Sequence, residues 1–265
     1  MWAARGMLAA TFLVGLASGQ QVTVQPAYSA ESIVNSADFR QGFLAPNTIA
    51  TIFGTNLSWS TLAISAADTG GGYLPDMLAG VRVSVGTIRA HLIYVSPTQI
   101  NFVIPYILIP GPVEIRVDRD GVAGPKVKVD LAATAPAAYR VDEKTIIATR
   151  VDGSLLTPDQ PARPGEVIVL YVTGLGWTDP AQKPGQLAIR AAQSLCAGKL
   201  RVELNGVAIP ADRVYYAGVT PGYSGLYQIN VALPEQLAQN PEIRLVVEDR
   251  VSAAGLYLPA TSGPS

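Results

Sequence analysis

The sequence predicts an all-β protein that folds as two tandem β-sandwiches. Three observations predict this class. Four blocks of residues recur in the same order in the two halves of the chain, the blocks alternate apolar and polar residues, and turn-forming dipeptides lie between them. The composition agrees, because 49% of the residues are apolar and 15% are charged, with 25 Gly and 20 Pro to form turns. Such a chain is too apolar to be disordered and long enough for two ordinary domains.

Duplication is the strongest signal in the sequence. Four blocks that recur in one order rarely arise by chance, and their spacing is far longer than a solenoid repeat, so they indicate two domains rather than a repeat array. The matched pairs are 45–57 with 163–175 (APNTIATIFGTNL and RPGEVIVLYVTGL), 81–85 with 200–204 (VRVSV and LRVEL), 99–105 with 228–234 (QINFVIP and QINVALP), and 114–116 with 242–244 (EIR in both).

The blocks and their neighbours have the residue pattern of β-strands. Residues 81–85, 113–117 and 127–131 each alternate apolar with polar side chains. A period of two places one set of side chains in a core and the other set in water. Residues 167–172 instead form a continuous apolar run, which favours a central strand. Short strands of this kind indicate a β-sandwich, with a closed barrel as the alternative.

Turn signals separate the predicted strands. The dipeptides Asp120-Gly121, Asp152-Gly153 and Asn205-Gly206 tolerate the positive φ angles of tight hairpin turns. Helical spacing is absent from the repeated blocks, and only the short segments 186–194 and 234–239 leave room for a helix.

The repeated phrase Gln-Ile-Asn has a structural interpretation. Ile100 and Phe102 share one face of the predicted strand, while Gln99 and Asn101 share the other, and Pro105 ends the strand because proline has no N–H to donate. The second copy repeats this arrangement. The Gln and Asn side chains predict hydrogen bonding across neighbouring strands rather than a ligand site.

Residues 1–19 have the order of a secretory signal peptide. Arg5 supplies the positive start, residues 7–16 supply a short apolar stretch, and residues 17–19 (Ala-Ser-Gly) place small residues before a cleavage point at Gln20. The alternative is a buried N-terminal helix. The apolar stretch is too short to cross a bilayer, and no later stretch reaches the required length. We therefore expect an exported protein with no transmembrane segment.

Six phrases of the chain carry a resemblance to a known family. They are residues 34–39 (VNSADF), 45–58 (APNTIATIFGTNLS), 74–85 (LPDMLAGVRVSV), 94–105 (YVSPTQINFVIP), 163–176 (RPGEVIVLYVTGLG) and 216–234 (YAGVTPGYSGLYQINVALP). They resemble an uncharacterised C-terminal domain family that is expanded in Solibacter-type acidobacteria, and the resemblance covers nearly all of the chain after the predicted signal peptide. It implies an immunoglobulin-like fold similar to IPT/TIG domains, so the predicted fold class becomes two tandem immunoglobulin-like β-sandwich domains. The family has no assigned catalytic residues, so none is transferred.

Charge and the rare reactive residues argue against several function classes. The net charge is −1, from 19 Lys and Arg against 20 Asp and Glu, so nucleic acid is not an expected partner. The single histidine, His91, lies in a strand-like run and is predicted to be a sheet residue rather than a proton shuttle. The single cysteine, Cys196, cannot form an internal disulfide. We expect no catalytic residue, no metal and no cofactor.

Three aromatic residues are the candidate ligand-binding residues. Trp59 and Trp177 are matched in the duplication, because each lies two residues beyond the end of the same repeated block. A loop tryptophan can stack on a sugar ring or anchor a protein interface, but it can equally close the apolar end of a sandwich. Tyr223, in the loop before the second Gln-Ile-Asn phrase, is a weaker candidate.

The predicted domains are residues 20–134 and 135–262. The Ala- and Pro-rich stretch 132–138 suits a short, fairly stiff linker between them. The predicted function is a non-catalytic exported or cell-surface module that binds an extracellular protein or polysaccharide through its loops.

Two alternatives stay open at this point. A secreted hydrolase would need two converging carboxylates, such as Asp76 with Glu166 or Asp179, which the sequence does not place together. A structural spacer of an envelope assembly would have no ligand pocket and no exposed aromatic pair.

Overall fold

The computed structural model describes residues 24–263 and shows the all-β fold that the sequence predicts. The predicted signal peptide, residues 1–19, lies outside the described residues. The first half of the chain contains β1 (Ile33–Asn35), β2 (Ile49–Phe53), β3 (Leu62–Ala63), β4 (Val81–Val85), β5 (Ile88–Arg89), β6 (His91–Val95), β7 (Gln99–Val103), β8 (Gly111–Arg119), β9 (Val122–Ala123) and β10 (Val127–Leu131).

The second half repeats this pattern of short strands. The segments 186–194 and 234–239 contain no helix. The only helices in residues 24–263 are short 3-10 turns at Ala30–Ser32, Ala66–Thr69, Ala197–Lys199 and Ala211–Arg213. The strands are β11 (Ala137–Ala138), β12 (Ala148–Arg150), β13 (Val167–Thr173), β14 (Thr178–Asp179), β15 (Ala192–Ser194), β16 (Leu200–Leu204), β17 (Val207–Ala208), β18 (Val214–Val219), β19 (Tyr227–Ala232), β20 (Ile243–Val247) and β21 (Arg250–Val251).

Each half is a sandwich of two antiparallel sheets. In the first half, a sheet with the strand order β1-β2-β7-β6-β3 faces a sheet with the order β10-β8-β4-β5, and β9 pairs with β8. In the second half, β11-β13-β19-β18-β15-β14 faces β17-β16-β20-β21, and β12 pairs with β13. Alternate side chains of the facing sheets form one apolar core in each half, as the period-two pattern predicts. The two cores are separate clusters.

The duplication extends to irregular backbone features. Both β6 and β18 have a register shift at matched positions, each opposite the Asn of the repeated phrase, Asn101 or Asn230. A β-bulge bends its strand and increases the local twist, so the two sheets share a local irregularity at the matched point.

Matched turn positions also share a left-handed backbone. Asn47 has a φ of 61° and the matched Gly165 a φ of 74°. Asn56 and Gly174, at the other end of the same block, have φ values of 56° and 82°. Asn and Gly are the residues that adopt this conformation most readily, so the chemistry of the turns agrees with the duplicated fold.

The Gln and Asn side chains of the repeated phrase pair mainly along their own strand. Gln99 Nε2 donates to Asn101 Oδ1 at 2.9 Å, and the second copy has the equivalent bond at 3.0 Å. The predicted cross-strand bond occurs in the first half, where Thr51 Oγ1 donates to Asn101 Oδ1 at 2.9 Å. In the second half the residue opposite Asn230 is Val169, which has no side-chain donor.

The second part of the predicted linker, residues 135–138, is buried and packed against the second half, while Ala133 is exposed. Ala135 and Ala137 are fully buried, and β11 at the end of this stretch pairs with β13. The domain limits 20–134 and 135–262 stay a prediction.

Direct hydrogen bonds join the two halves at several points. The bonds involve different segments of each half, so together they fix the position of one half against the other. They include Asn47 Nδ2 to Tyr227 Oη at 2.9 Å, the Ile49 amide to Thr173 Oγ1 at 3.0 Å, the Leu74 amide to the Gly185 carbonyl at 2.8 Å, and the Leu187 amide to the Gly72 carbonyl at 2.9 Å.

Candidate functional site

A cleft of about 690 Å³ lies where the two halves meet, and we call it the central cleft. One wall is the outer face of the sheet that contains β2, β6 and β7, opposite to the face that forms the core. The other wall is the outer face of the sheet that contains β13. The loops 64–74 and 222–226 complete it. A cleft of this size between two domains is a common position for a ligand site.

The lining of the central cleft is uncharged. None of the residues that line it is Asp, Glu, Lys, Arg, His or Cys. Apolar side chains and three tyrosines provide most of the surface, and hydroxyl and amide groups provide the hydrogen-bonding capacity. The lining residues are Ile49, Ile64, Ala66, Leu74, Ile93, Ile147, Leu187, Gly222 and Leu226, with Tyr139, Tyr171 and Tyr223, and with Ser36, Ser65, Thr69, Asn101 and Ser224.

Tyr139 and Ser36 join the two walls by a hydrogen bond. Their hydroxyl oxygens lie 2.8 Å apart. Burial raises the pKa of Tyr139 to about 12, although the bond to Ser36 opposes the shift. Tyr139 is therefore neutral at physiological pH and keeps a proton to donate, either to Ser36 or to a bound ligand.

The backbone of the second wall is already paired. The Tyr139 amide donates to the Tyr171 carbonyl at 3.0 Å, the Ile147 amide donates to the Tyr139 carbonyl at 2.8 Å, and the Tyr171 amide donates to the Ile147 carbonyl at 3.4 Å. A ligand in the cleft therefore meets side chains on this wall and finds no free strand edge to extend.

Tyr223 lies in the central cleft, on the loop between β18 and β19. Its carbonyl accepts a hydrogen bond from the Ala188 amide at 2.9 Å, and its amide donates to the Thr220 carbonyl at 3.1 Å. The backbone of the residue is thus held at both ends, while 55% of the residue stays exposed. This combination of a fixed backbone and a free ring suits stacking on a ligand. The binding role of Tyr223 stays a prediction.

Trp59 lies away from the central cleft. The guanidinium of Arg119 lies 3.6 Å from its ring centroid in a cation–π contact. Arg119 is fully buried and donates to the carbonyls of Asn56 and Val24. Trp59 is 65% exposed, so one face covers this arginine and much of the residue is in contact with solvent. Trp59 therefore acts as a covering residue at the end of the sandwich, but it covers the charged guanidinium of Arg119 rather than an apolar core.

Trp177 also lies outside the central cleft, and its surroundings differ from those of Trp59. Its Nε1 donates to the Tyr106 carbonyl at 2.9 Å, which joins the two halves. It borders a small pocket of about 140 Å³ that Cys196 also lines. The three candidate residues therefore occupy three separate places, and the structure brings no two of them together.

Trp59→Ala tests the covering role. We expect a loss of about 1–2 kcal/mol of unfolding free energy, because the cation–π contact between Trp59 and the buried guanidinium of Arg119 disappears. Urea unfolding measures it. Tyr215→Ala is a suitable control, since Tyr215 is 62% exposed and lines neither the central cleft nor the small pocket beside Trp177. Equal and negligible losses in both variants would contradict the covering role.

The carboxylates considered for a hydrolase lie outside the central cleft. Asp76 forms an ion pair with Arg89 at 3.1 Å, and Glu166 forms one with Arg150 at 2.8 Å. Asp179 is exposed on β14. The lining of the cleft therefore lacks the pair of carboxyl groups that glycoside hydrolysis needs.

The single histidine and the single cysteine are part of packed structure. His91 begins β6, and partial burial lowers its pKa. Cys196 Sγ lies 3.1 Å from Ser194 Oγ, and burial raises the pKa of the thiol, which favours the unreactive protonated form. Residues 24–263 contain no group of three or more His, Cys, Asp or Glu side chains that could hold a metal ion. The same residues contain no helix long and apolar enough to cross a membrane.

Sequence reasoning missed Tyr139 and Tyr171. Tyr171 lies in the apolar run 167–172, and a run without alternation does not show which of its side chains face away from the core. Tyr139 follows the buried stretch taken for a linker, and no local pattern marks it.

No protein-family model matches the sequence, and no curated protein matches it. Among solved structures, the surface glycan-binding protein PbSGBP-B from Prevotella bryantii is 10% identical over 88% of this chain and 42% of its own, with a TM-score of 0.27. A Bacteroides ovatus SGBP-B in complex with a mixed-linkage heptasaccharide is 10% identical over 80% and 38%, with a TM-score of 0.30. Domains 5–6 of the S-layer protein SbsC are 9% identical over 90% and 100%, with a TM-score of 0.27.

The chain spans less than half the length of the two glycan-binding proteins.

Proposed function

We propose that the protein is a non-catalytic, extracytoplasmic binding module that holds an extracellular protein segment or a polysaccharide in its central cleft. The observation that carries the proposal is the cleft itself, which has a volume of about 690 Å³ and is lined by three tyrosines and no charged side chain. Apolar walls with a few polar groups are typical of sites that bind without reacting. The predicted signal peptide supports the location outside the cytoplasm.

The geometry favours a preformed site. Three residues that line the cleft each donate a backbone amide across the contact between the halves. Leu74 donates to the Gly185 carbonyl and Leu187 to the Gly72 carbonyl, and Ile49 donates to Thr173 Oγ1. Binding to a cleft that is already held open loses little conformational entropy. The resemblance to the Solibacter-type family and to IPT/TIG domains stays a prediction and is compatible with this role.

A direct test removes one ring from the cleft. We expect Tyr223→Ala to reduce affinity by about tenfold, because the exposed ring provides a stacking surface at the mouth of the site. The ligand is first found with a glycan array and an envelope pull-down that use the chain from Gln20, and its affinity is then measured by calorimetry.

Tyr215→Ala is the matched control, since it removes an equally exposed tyrosine that does not line the cleft. Affinity that falls in the control as much as in Tyr223→Ala would place binding elsewhere. If neither the array nor the pull-down detects binding, the result would favour the alternative that the protein is a structural spacer of an envelope assembly.

A further inference from the structure

A second cavity adjoins the central cleft, and we call it the side cavity. It has a volume of about 350 Å³ and shares two lining residues with the cleft, Ser36 and Tyr139. The hydrogen-bonded pair of Ser36 and Tyr139 thus separates two neighbouring spaces. A ligand longer than the central cleft would meet this pair and could continue beyond it into the side cavity.

Phe39 lines the side cavity together with Tyr139, and its backbone conformation is unusual. It has a φ of 58°, a conformation that bulky residues rarely adopt. The Phe39 amide donates to the Asn35 carbonyl at 2.9 Å, which closes the turn. The residue is 48% exposed, and its ring meets the ring of Phe53 edge to face at 5.6 Å between centroids. The strained turn therefore holds an apolar ring in solvent, which is a pattern typical of binding sites.

The chemistry of the two cavities favours a glycan over a peptide. A peptide bound as an added strand needs free backbone donors and acceptors, and the amides and carbonyls of Tyr139, Ile147 and Tyr171 pair with one another. A glycan uses side-chain hydroxyls and amides together with aromatic faces. Ser36, Asn101 and the tyrosines supply these groups.

We propose that the central cleft and the side cavity are two consecutive subsites for one uncharged oligosaccharide chain, with Phe39 as the aromatic surface of the second subsite. The proposal rests on the proposed function, since it assigns a ligand class to the same cleft. The uncharged lining of the central cleft favours an uncharged sugar in the first subsite, because a charged sugar there would lose its hydration without gaining an ionic partner. The side cavity is also lined by Arg140, Asp142 and Glu143. Two carboxylates beside one guanidinium give no net attraction for an anionic sugar, and all three groups can hydrogen-bond the hydroxyls of an uncharged one.

The test measures affinity against chain length. The probes are homologous series of neutral linear glucan, xylan and mannan oligosaccharides, from disaccharide to hexasaccharide, titrated by calorimetry. For the wild type we expect affinity to rise about tenfold along the series that binds, because the longer chains reach the second subsite. In Phe39→Ala we expect the shortest chains to bind as in the wild type and the increase with length to disappear.

Two further variants separate binding from folding. Phe39→Gly removes the ring and relieves the backbone strain, so we expect it to be at least as stable as the wild type and still to lose the dependence on length. Phe39→Trp keeps an aromatic surface and should retain the dependence. These variants exclude unfolding as the reason for a loss of binding.

The possible outcomes distinguish the two proposals. Neutral oligosaccharides that bind with no dependence on length, or a dependence that Phe39→Gly leaves unchanged, would overturn the two-subsite inference and leave the proposed function intact. Binding of a peptide or protein in the cleft that is lost in Tyr223→Ala would overturn the inference of an oligosaccharide ligand and leave the proposed function intact. Ligand binding that Tyr223→Ala leaves unchanged would contradict the proposed function itself.

Discussion

Replacing Gly174 with alanine is expected to lower the free energy of unfolding by about 2–5 kcal/mol, the largest effect among the variants considered. Gly174 is the residue before the last in the repeated block 163–175 and has a φ of 82°, which disfavours any residue with a Cβ. The added Cβ would also overlap the carbonyl oxygen of Ala135. The Ala135 amide donates to the Gly174 carbonyl at 2.7 Å, so the two backbones cannot move apart without breaking that bond.

The matched control for this variant is Gly153→Ala. Gly153 also has a positive φ, 86°, but a Cβ there would meet no atom within 4 Å. The control therefore isolates the backbone cost, about 1–2 kcal/mol, and the difference between the two variants measures the overlap with Ala135. Chemical unfolding monitored by fluorescence gives both values. Equal losses in the two variants would show that residues 135–138 are not packed as described.

The overlap at Gly174 illustrates what sequence reasoning could and could not predict. The strands and the duplication follow from local patterns, such as the alternation in 81–85 and the repeated Gln-Ile-Asn phrase, because period-two burial is a local property. The stretch 132–138 has the composition of a linker, and only its contact with a distant strand makes it part of the second sheet. The sequence therefore predicts the fold class well and the packing between the halves poorly.

The candidate site divides in the same way. Tyr223 could be named from the sequence because it lies in a Gly-rich loop, where an aromatic ring has no core to enter. Tyr139 and Ser36 are 103 positions apart in sequence, so only the folded chain shows that they form one hydrogen bond between the walls. Trp59 and Trp177 lie at matched positions of the duplication, which predicts that they have the same role. The structure gives them different partners, because Arg119 has no counterpart beside Trp177.

Removing the hydroxyl of Tyr227 is expected to weaken the connection between the two halves. Tyr227 is fully buried, and its hydroxyl donates to the Gly176 carbonyl and accepts from Asn47 Nδ2. Burial raises the pKa of Tyr227, so the hydroxyl keeps its proton and can make both bonds. Tyr227→Phe leaves a buried carbonyl and a buried amide without this partner, which costs about 1–3 kcal/mol.

A double-mutant cycle with Asn47→Ala separates the bond between the halves from the bond within the second half. Since Asn47 belongs to the first half, we expect a coupling energy of about 0.5–1.5 kcal/mol between the two substitutions. In the chain from Gln20, which lacks Trp2, the fluorescence of Trp59 and of Trp177 is observed in variants that each lack the other tryptophan, and it reports the unfolding of the first and second half separately. In Tyr227→Phe the two transitions should move apart, because the halves lose part of their mutual stabilisation. Transitions that stay coincident, together with additive losses in the cycle, would show that this bond does not hold the walls of the central cleft together.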